Sequence, residues 1–345
     1  MGKLLVLEQP KKVGYEEYEE RELLANEVRI QTLYTGISAG TELTSYRGTS
    51  PFFNKKWDAT NRIFEKETET SWTYPLKQWG YEEVGKVVEI GKDVQEVEVG
   101  DIIFGTWGHK SNHIAEESFA KDRKLHKDLD PICGIFSHIG AIGINAILDA
   151  NIHVGETVAV FGQGVPGQIV TQLAKLNGAR VIAVDLDDTR LAFAKKFGAD
   201  IILNSGKCDA AKEIKEITKG LGADVAIEIS GAPRALHEAI RCAAYSGRVV
   251  SSGFIQGEPK GLYLGEEFHH NRINLVCSQI SGVDPSLSYR WNRLRLNHTV
   301  MDLQKEGKLD LKGLITHTIP FDEAAKAYEL LDNATEQVLQ MVLAL

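Results

Sequence analysis

The chain has 345 residues, of which 43% are hydrophobic and 25% are charged, and its formal net charge is −9. This length favours two domains over one, and the acidic balance argues against nucleic acid or an anionic membrane as the main partner. There is neither a basic and apolar N-terminal signal nor a long uncharged apolar run. We therefore expect a cytoplasmic protein that acts on a small-molecule substrate. The four cysteines form no C-x-x-C pair, which favours free thiols.

The N-terminal part alternates between strand-like and irregular segments. Lys3 to Glu8 and Glu27 to Tyr34 alternate apolar and polar side chains, as half-buried strands do. Tyr15 to Arg21 is mostly charged and is predicted to be a solvated loop. The sequence GISAGTELTSYRG, at residues 36–48, is too rich in Gly, Ser and Thr to be predicted as a regular element. From Gly80 onwards, GYEEVGKVVEIG and VGDIIFG predict short strands of a small β-barrel.

Aromatic side chains crowd the segment between residues 51 and 74, which has no clean period. Trp57 and Trp72 lie in it, and Trp79 lies at its edge. Aromatic residues usually fill cores, so the segment can be an insertion that covers itself. Because it directly follows residues 36–48, it can instead form a lid over a bulky or ring-shaped substrate.

Residues 157–185, TVAVFGQGVPGQIVTQLAKLNGARVIAVD, predict a strand, a glycine-rich turn, a helix and a second strand. Thr157 to Phe161 is a short apolar run, typical of a strand buried on both faces. Three glycines follow it at G-x-G-x-x-G spacing: Gly162, Gly164 and Gly167. The second strand ends in Asp185. A glycine motif alone usually marks only a turn, but the complete unit predicts a dinucleotide site.

Each part of this unit has a role in binding a dinucleotide. The first glycine permits the tight turn, the second lets the pyrophosphate approach the backbone, and the third lets the helix pack on the strand. Val165 and Pro166 lie at the pyrophosphate turn, where a helix N-terminus offers free N–H groups. Asp185 can accept hydrogen bonds from both hydroxyls of an adenosine ribose and would repel a 2′-phosphate. We therefore expect the cofactor to be NAD(H) rather than NADP(H).

Helices and strands continue to alternate beyond residue 185. Helices are predicted at Arg190 to Phe197, Ala210 to Thr218 and Ala235 to Ala244. Strands are predicted at Ile201 to Leu203, Val225 to Ile229, Arg248 to Ser252 and Asn274 to Ser278. This alternation predicts an α/β fold with a doubly wound parallel sheet. Four residues end two of its strands at the carboxyl edge, where nucleotides bind: Ser230, Gly231, Ser252 and Gly253.

Five pieces of the sequence resemble the medium-chain dehydrogenase/reductase superfamily, which includes the zinc alcohol dehydrogenases: GYEEVGKVVEIG, EVEVGDIIFG, AVFGQGVPG, FAKKFGAD and GADVAIEISG. The resemblance implies a GroES-like β-barrel catalytic domain at residues 1–136 and 283–345, with a Rossmann domain inserted at 137–282. It further implies a homodimer, Arg190 near the ribose, and the nicotinamide near Ser278 to Ser281. GISAGTE and the substitution at Tyr81 are most similar to the branch related to bacteriochlorophyllide hydroxyethyl dehydrogenase.

The chain departs from the zinc-dependent members of this superfamily where they bind the metal. They read Gly-Ile-Cys where this chain has Ser38, and Gly-His-Glu where it has Tyr81, and their third ligand aligns near Ser137 and His138. A catalytic zinc needs about three thiolate, imidazole or carboxylate ligands, and only Glu82 and His138 remain. The four-cysteine lobe for a structural zinc is also absent. We therefore expect no metal in the catalytic site.

A site without zinc must still handle the proton and the charge on the reacting oxygen. Tyr81 replaces the family's histidine ligand and is expected to hydrogen-bond that oxygen, with help from Ser38. Thr41 aligns with the hydroxyl that begins the family's proton relay. Glu82 and His138 are the candidate general bases.

The same residues also have structural interpretations. Ser38 and Thr41 can simply cap a turn. Tyr81 can be a buried phenol bonded to a carbonyl, and Glu82 can be an ion-pair partner. Thr44 stands where the family's relay has a histidine. His109 and His113 would suit a metal only on a helix, and their strand-rich surroundings favour structural roles.

These features lead to one main hypothesis and two alternatives. The main hypothesis is an NAD-dependent dehydrogenase that oxidises a secondary alcohol, or reduces its ketone, without zinc. The substrate is expected to be bulky or ring-shaped: a sugar, a cyclitol or an aromatic alcohol. An enoyl or quinone reductase is the first alternative, and Asp185 counts against it because those enzymes usually prefer NADPH. A non-catalytic NAD(H)-binding protein is the second.

Overall fold

The computed structural model describes residues 1–65, 70–334 and 336–345. The chain divides into two compact units. The first contains Met1–His138 and Ile315–Leu345, and the second contains Ile139–Leu314. Residues 283–314, which the sequence assigns to the barrel domain, are part of the second unit. Residues 66–69 of the aromatic segment lie outside the described residues.

The N-terminal part of the first unit is mostly strand. Its strands are β1 (Gly2–Gln9), β2 (Lys12–Tyr18), β3 (Glu27–Ile37), β4 (Lys56–Asp58), β5 (Ile63–Glu65), β6 (Glu83–Ile90), β7 (Ile102–Gly105) and β8 (Asn112–Glu116). Its helices are α1 (Ala39–Arg47) and α2 (Glu117–Lys121). The chain passes into the second unit within α3 (Phe136–Ala150).

The second unit is a parallel sheet with helical connections, as the alternating pattern predicts. Its strands are β9 (Thr157–Phe161), β10 (Arg180–Asp185), β11 (Ile201–Asn204), β12 (Ala223–Glu228), β13 (Ala243–Ser251) and β14 (Asn274–Cys277). Its further helices are α4 (Val165–Leu176), α5 (Asp188–Lys196), α6 (Ala210–Ile217), α7 (Pro233–Cys242) and α8 (Arg293–Lys305). The strand order is β11-β10-β9-β12-β13-β14, with all pairs parallel. The order reverses between β9 and β12, which is the switch point where ligands bind in such sheets.

The chain returns to the first unit through β15 (Ile315–Pro320), α9 (Ala324–Asn333) and β16 (Gln340–Ala344). Residues from both chain ends build one sheet, in the order β15-β16-β3-β6-β7, and β8 also pairs with β3. Val28, Ile30 and Val87 are completely buried in the core of this sheet. The predicted GroES-like plus Rossmann fold class is confirmed.

Helix α1 occupies residues for which the sequence predicts no regular element, so that prediction is wrong. The Gly, Ser and Thr residues give this segment a low helix propensity. Tertiary packing stabilises the helix instead, since Leu43 and Tyr46 are buried against the first unit's core. Gly48 ends it in the left-handed conformation, with φ of 73°. The carboxylate of Glu42 accepts a hydrogen bond from the Ser38 N–H at 2.9 Å, which closes the first turn.

The loop predicted at Tyr15 to Arg21 is also partly a strand. β2 runs to Tyr18 and pairs antiparallel with β1. The Tyr15 hydroxyl donates to the Phe321 carbonyl at 2.7 Å, so this charged segment is held by the C-terminal part of the chain. Such long-range contacts leave no periodicity in the local sequence.

One stretch, Pro131–Ala150, is long and apolar enough to cross a membrane by length and composition. This finding differs from the expectation that the chain has no long uncharged apolar run. In the structure, 72% of its most apolar window is buried inside the protein. Such burial is typical of a core helix in a soluble protein.

Candidate functional site

The glycine-rich turn after β9 is shaped by close backbone contacts. Gly162 has φ of +94°, a conformation that favours glycine. A Cβ on Gly167 would collide with the carbonyl of Gly162, so the start of α4 can approach the strand only without a side chain. A Cβ on Gly164 would meet nothing nearer than Pro166 Cδ at 3.9 Å. The turn thus leaves open space at the N-terminus of α4, beside Val165, where the free N–H groups can bind phosphate.

Asp185 is held beside this turn. Its Oδ2 accepts a hydrogen bond from the Gln163 N–H at 2.5 Å. Its Oδ1 accepts from the N–H groups of Leu186 and Asp187 at 2.8 and 3.0 Å. A carboxylate has about four lone-pair sites, and three are occupied here, so Asp185 can still accept a hydrogen bond from a ribose hydroxyl.

A buried amide network, which was not predicted from the sequence, joins the turn to Arg190. Gln168 is completely buried, and its Nε2 donates to the carbonyls of Gln163 at 3.1 Å and Arg190 at 2.8 Å. Gln163 is also completely buried and accepts from the Thr171 hydroxyl at 3.1 Å. Three glutamines in the turn and helix, Gln163, Gln168 and Gln172, were the available signal. Arg190 lies in the first turn of α5, and its own N–H donates to Asp187.

Two further loops reach the same edge of the sheet. Ser230 and Gly231 follow β12, and Ser252 and Gly253 follow β13. The Ser252 hydroxyl oxygen is buried and has no hydrogen-bond partner. An orphaned hydroxyl, an open glycine turn and an anchored carboxylate at one sheet edge fit a nicotinamide dinucleotide.

In the first unit, Tyr81 brings together most of the predicted catalytic residues. Its hydroxyl donates a hydrogen bond to Ser38 Oγ and also interacts with the side chain of Thr41. The His138 ring packs edge-on against the phenol, with ring centroids 4.6 Å apart. Burial, with a further contribution from the charge of Glu82, raises the pKa of Tyr81. The phenol is therefore a neutral donor at physiological pH.

Glu82 is buried and has an uncharged partner. It is 1% exposed, and its Oε2 accepts a hydrogen bond from the Gln340 amide at 3.3 Å. Burial raises its pKa well above the ordinary value, and the charges of Glu42 and Glu83 add to this effect. The ion pair considered from the sequence is replaced here by a hydrogen bond from a neutral amide.

A second buried network, centred on Glu42, fixes the backbone of Ser38. One carboxylate oxygen accepts from the Ser38 N–H. The other accepts from the Tyr328 hydroxyl and lies 2.9 Å from His109 Nε2. Burial alone would lower the pKa of His109, but the Glu42 charge raises it overall. His109 has the structural role that the sequence favours, whereas Glu42 and Tyr328 were not singled out because their partners are distant in sequence.

Comparisons with known proteins agree with this architecture. A family model described as zinc-binding dehydrogenase matches residues 166–293. D-guloside 3-dehydrogenase from Escherichia coli (strain K12) is 33% identical over 347 residues, which cover 98% of this chain and 99% of that protein.

Solved structures share the fold across the whole chain. A putative zinc-binding dehydrogenase from Sinorhizobium meliloti 1021, bound to NADP, has a TM-score of 0.80 and 21% identity. A short chain alcohol dehydrogenase from Escherichia coli CFT073, complexed with NADH, has a TM-score of 0.79 and 22% identity. Each alignment covers 100% of this chain and 99% of the other protein's chain. These neighbours show that the fold is shared.

The chain therefore belongs to the zinc-binding dehydrogenase family of the medium-chain dehydrogenase/reductase superfamily, and it is an alcohol dehydrogenase-like oxidoreductase.

Proposed function

We propose that this protein is an NAD(H)-dependent dehydrogenase that interconverts a secondary alcohol and a ketone on a sugar-like ring without a catalytic zinc. The observation that carries the proposal is the hydrogen bond from Tyr81 to Ser38. These residues stand where the zinc-dependent members of the superfamily have a histidine and a cysteine.

The chemistry of the donor atoms supports a site without zinc. A neutral phenol and a neutral hydroxyl, bonded to each other, are poor zinc ligands. Glu82 accepts a hydrogen bond from Gln340, and its raised pKa disfavours the anionic form that a metal would require. His138 packs its ring against Tyr81. These residues do not fit the three-ligand set that a catalytic zinc needs, and this misfit supports a zinc-independent site.

The polar groups around Tyr81 suit the oxygen of an alcohol or a ketone. The nicotinamide, when bound, supplies hydride acceptance or donation. When a substrate is bound, the single O–H of the phenol can turn from Ser38 to a ketone oxygen and stabilise the alkoxide that develops on it. Ser38 and Thr41 hold the phenol in place, and burial raises the pKa of Glu82, which favours the protonated form that a general acid needs.

The relative that matches along nearly its full length supports a sugar-like substrate. Its name, D-guloside 3-dehydrogenase, gives a D-guloside as the compound that it dehydrogenates, at position 3. The aromatic segment supplies ring surfaces of the kind that pack on sugars, and Trp57 and Phe64 are each 41% exposed. Their rings contact each other across the β4–β5 hairpin, with centroids 5.0 Å apart.

Asp185 supports NAD(H) over NADP(H). Its carboxylate is fixed by three backbone N–H groups, so it cannot easily move away from a 2′-phosphate. The resulting repulsion would weaken NADP(H) binding.

The test is a panel of glycosides, cyclitols, simple secondary alcohols and their ketones, assayed with NAD(H) and NADP(H) by absorbance at the reduced nicotinamide band. Turnover of at least one ring alcohol with NAD is the expected result. Reduction of enones or quinones with NADPH alone would favour a reductase. Tight NADH binding with no turnover in the panel would favour a non-catalytic NAD(H)-binding protein.

A further inference from the structure

Glu228 is a buried acid at the carboxyl end of β12, beside the loops that fit the cofactor. The residue is completely buried. It lies in the second unit, on the strand next to β9 and on the opposite side of β9 from the strand that carries Asp185.

The polar atoms of Glu228 connect two loops. Its Oε1 accepts three hydrogen bonds, from the N–H and hydroxyl of Ser230 at 2.7 and 2.6 Å and from the N–H of Gly231 at 2.8 Å. Its main-chain carbonyl accepts from the N–H groups of Ser252 and Gly253 at 2.8 and 3.1 Å. One residue therefore fixes the loop after its own strand and the loop after β13.

The packing around this carboxyl group leaves no room for a side chain at the neighbouring glycines. A Cβ on Gly253 would collide with the Gly231 N–H and would lie 2.7 Å from Glu228 Oε2. A Cβ on Gly162 would lie 2.6 Å from Ser230 Cβ. The loops after β9, β12 and β13 thus contact one another. The Glu228 carboxyl group lies between the loop after β12 and the loop after β13.

Strand order indicates which part of a dinucleotide these loops face. Asp185, for the adenosine ribose, ends β10, and the phosphate-binding turn follows β9. A dinucleotide that runs across the sheet edge from β10 over β9 must place its second nucleotide over β12 and β13. The unpartnered Ser252 hydroxyl is on that side.

We propose that Glu228 is a positioning residue that holds the 230–231 and 252–253 loops in the conformation that binds the nicotinamide half of the cofactor. This inference rests on the dinucleotide binding of the proposed function. A purely structural role would instead contribute to the stability of the whole sheet and would affect both halves of the cofactor alike.

The experiment compares the affinities of full-length variants for NADH and for AMP, which carries only the adenosine half. Glu228→Ala is expected to weaken NADH binding about tenfold or more, because it leaves three donors without an acceptor, and to change AMP binding less than about twofold. Glu228→Gln keeps an acceptor oxygen and is expected to bind NADH within about threefold of the unmodified protein.

Two further variants serve as controls. Val225→Ala removes buried apolar volume from β12 itself, three residues before Glu228, and it is expected to lower the melting temperature without changing either affinity. Gly253→Ala leaves the carboxyl group intact but disturbs its packing, so the same selective loss of NADH binding is expected even if Glu228→Ala fails to fold.

Unchanged NADH affinity in Glu228→Ala, or an equal loss of NADH and AMP affinity, would overturn the inference. If the unmodified protein binds AMP but neither NADH nor NADPH, the proposed function and this inference both fail. If it binds NADH and only the variant results disagree, the inference alone fails.

Discussion

The phenolic hydroxyl of Tyr81 donates a hydrogen bond to the hydroxyl of Ser38, a residue 43 positions earlier in the chain. Burial holds the phenol in its neutral form, because it raises the pKa of Tyr81. A pair of neutral hydroxyl groups can orient a substrate oxygen by hydrogen bonding, and the proposed mechanism depends on that pair.

Replacing Tyr81 with phenylalanine removes the donor and keeps the ring that packs on His138. Turnover is expected to fall roughly 100- to 1,000-fold, as for the loss of one oxyanion donor, while NADH affinity stays the same. Steady-state kinetics and NADH fluorescence titration measure the two quantities. Tyr289, which is 79% exposed, gives the matched control Tyr289→Phe, which should have normal turnover. Normal turnover in Tyr81→Phe would remove Tyr81 from the mechanism.

Glu82 is expected to make the folded protein less stable at higher pH. Its pKa is raised in the folded state, mainly by burial, so its contribution to stability is complete below the unfolded pKa and is lost as pH rises through the folded pKa. Each tenfold difference in proton affinity between the folded and unfolded states corresponds to about 1.4 kcal/mol. Glu82→Gln cannot ionise, so its free energy of unfolding should fall less between pH 5.5 and pH 9. Urea unfolding across this range measures the difference, and equal slopes for both proteins would contradict the assignment.

Asp185→Asn keeps the shape of the side chain and removes its charge. We expect the ratio of NADPH to NADH affinity to rise about tenfold or more, because charge-assisted hydrogen bonds to the ribose are lost together with the repulsion of a 2′-phosphate. Fluorescence titration with both cofactors measures the ratio. Asp224 lies at the opposite end of the sheet, where it accepts from the Thr157 N–H, and Asp224→Asn should leave the ratio unchanged. An unchanged ratio in Asp185→Asn would show that selectivity arises elsewhere.

Much of the second unit could be predicted from the sequence because its signals are local. The strand, glycine turn, helix and acid of the dinucleotide site occupy consecutive residues, and the glycine pattern reflects backbone contacts such as that of Gly167 with Gly162. The structure of the first unit is less predictable because it depends on contacts between residues that are distant in sequence. Helix α1 depends on the contact of Glu42 with Tyr328, which are 286 positions apart, and no periodicity in either segment indicates it. Glu228 was overlooked because a single acid at the end of an apolar strand is also common without any role.

Glu42 is expected to be among the most sensitive residues of the first unit. Glu42→Ala leaves the Ser38 N–H, the Tyr328 hydroxyl and His109 without their buried acceptor, and the expected loss of unfolding free energy is about 3–5 kcal/mol. The exposed Glu329 on α9 provides the control, and Glu329→Ala should cost less than about 0.5 kcal/mol. Urea denaturation measures both values. A loss below about 1 kcal/mol for Glu42→Ala would mean that the network contributes little to stability.

The dependence of turnover on metal most directly tests the central claim of zinc-independent dehydrogenase chemistry. The protein is treated with a chelator and desalted, its zinc content is measured, and turnover of the best alcohol from the panel is assayed with NAD. A His237→Ala variant is run in parallel, because His237, Glu266 and Glu267 lie within 4.8 Å of one another in the second unit and can hold zinc unrelated to catalysis. We expect full turnover at well below one zinc per chain in both proteins. Turnover that disappears on chelation and returns with one equivalent of zinc, in the variant as well, would contradict the claim.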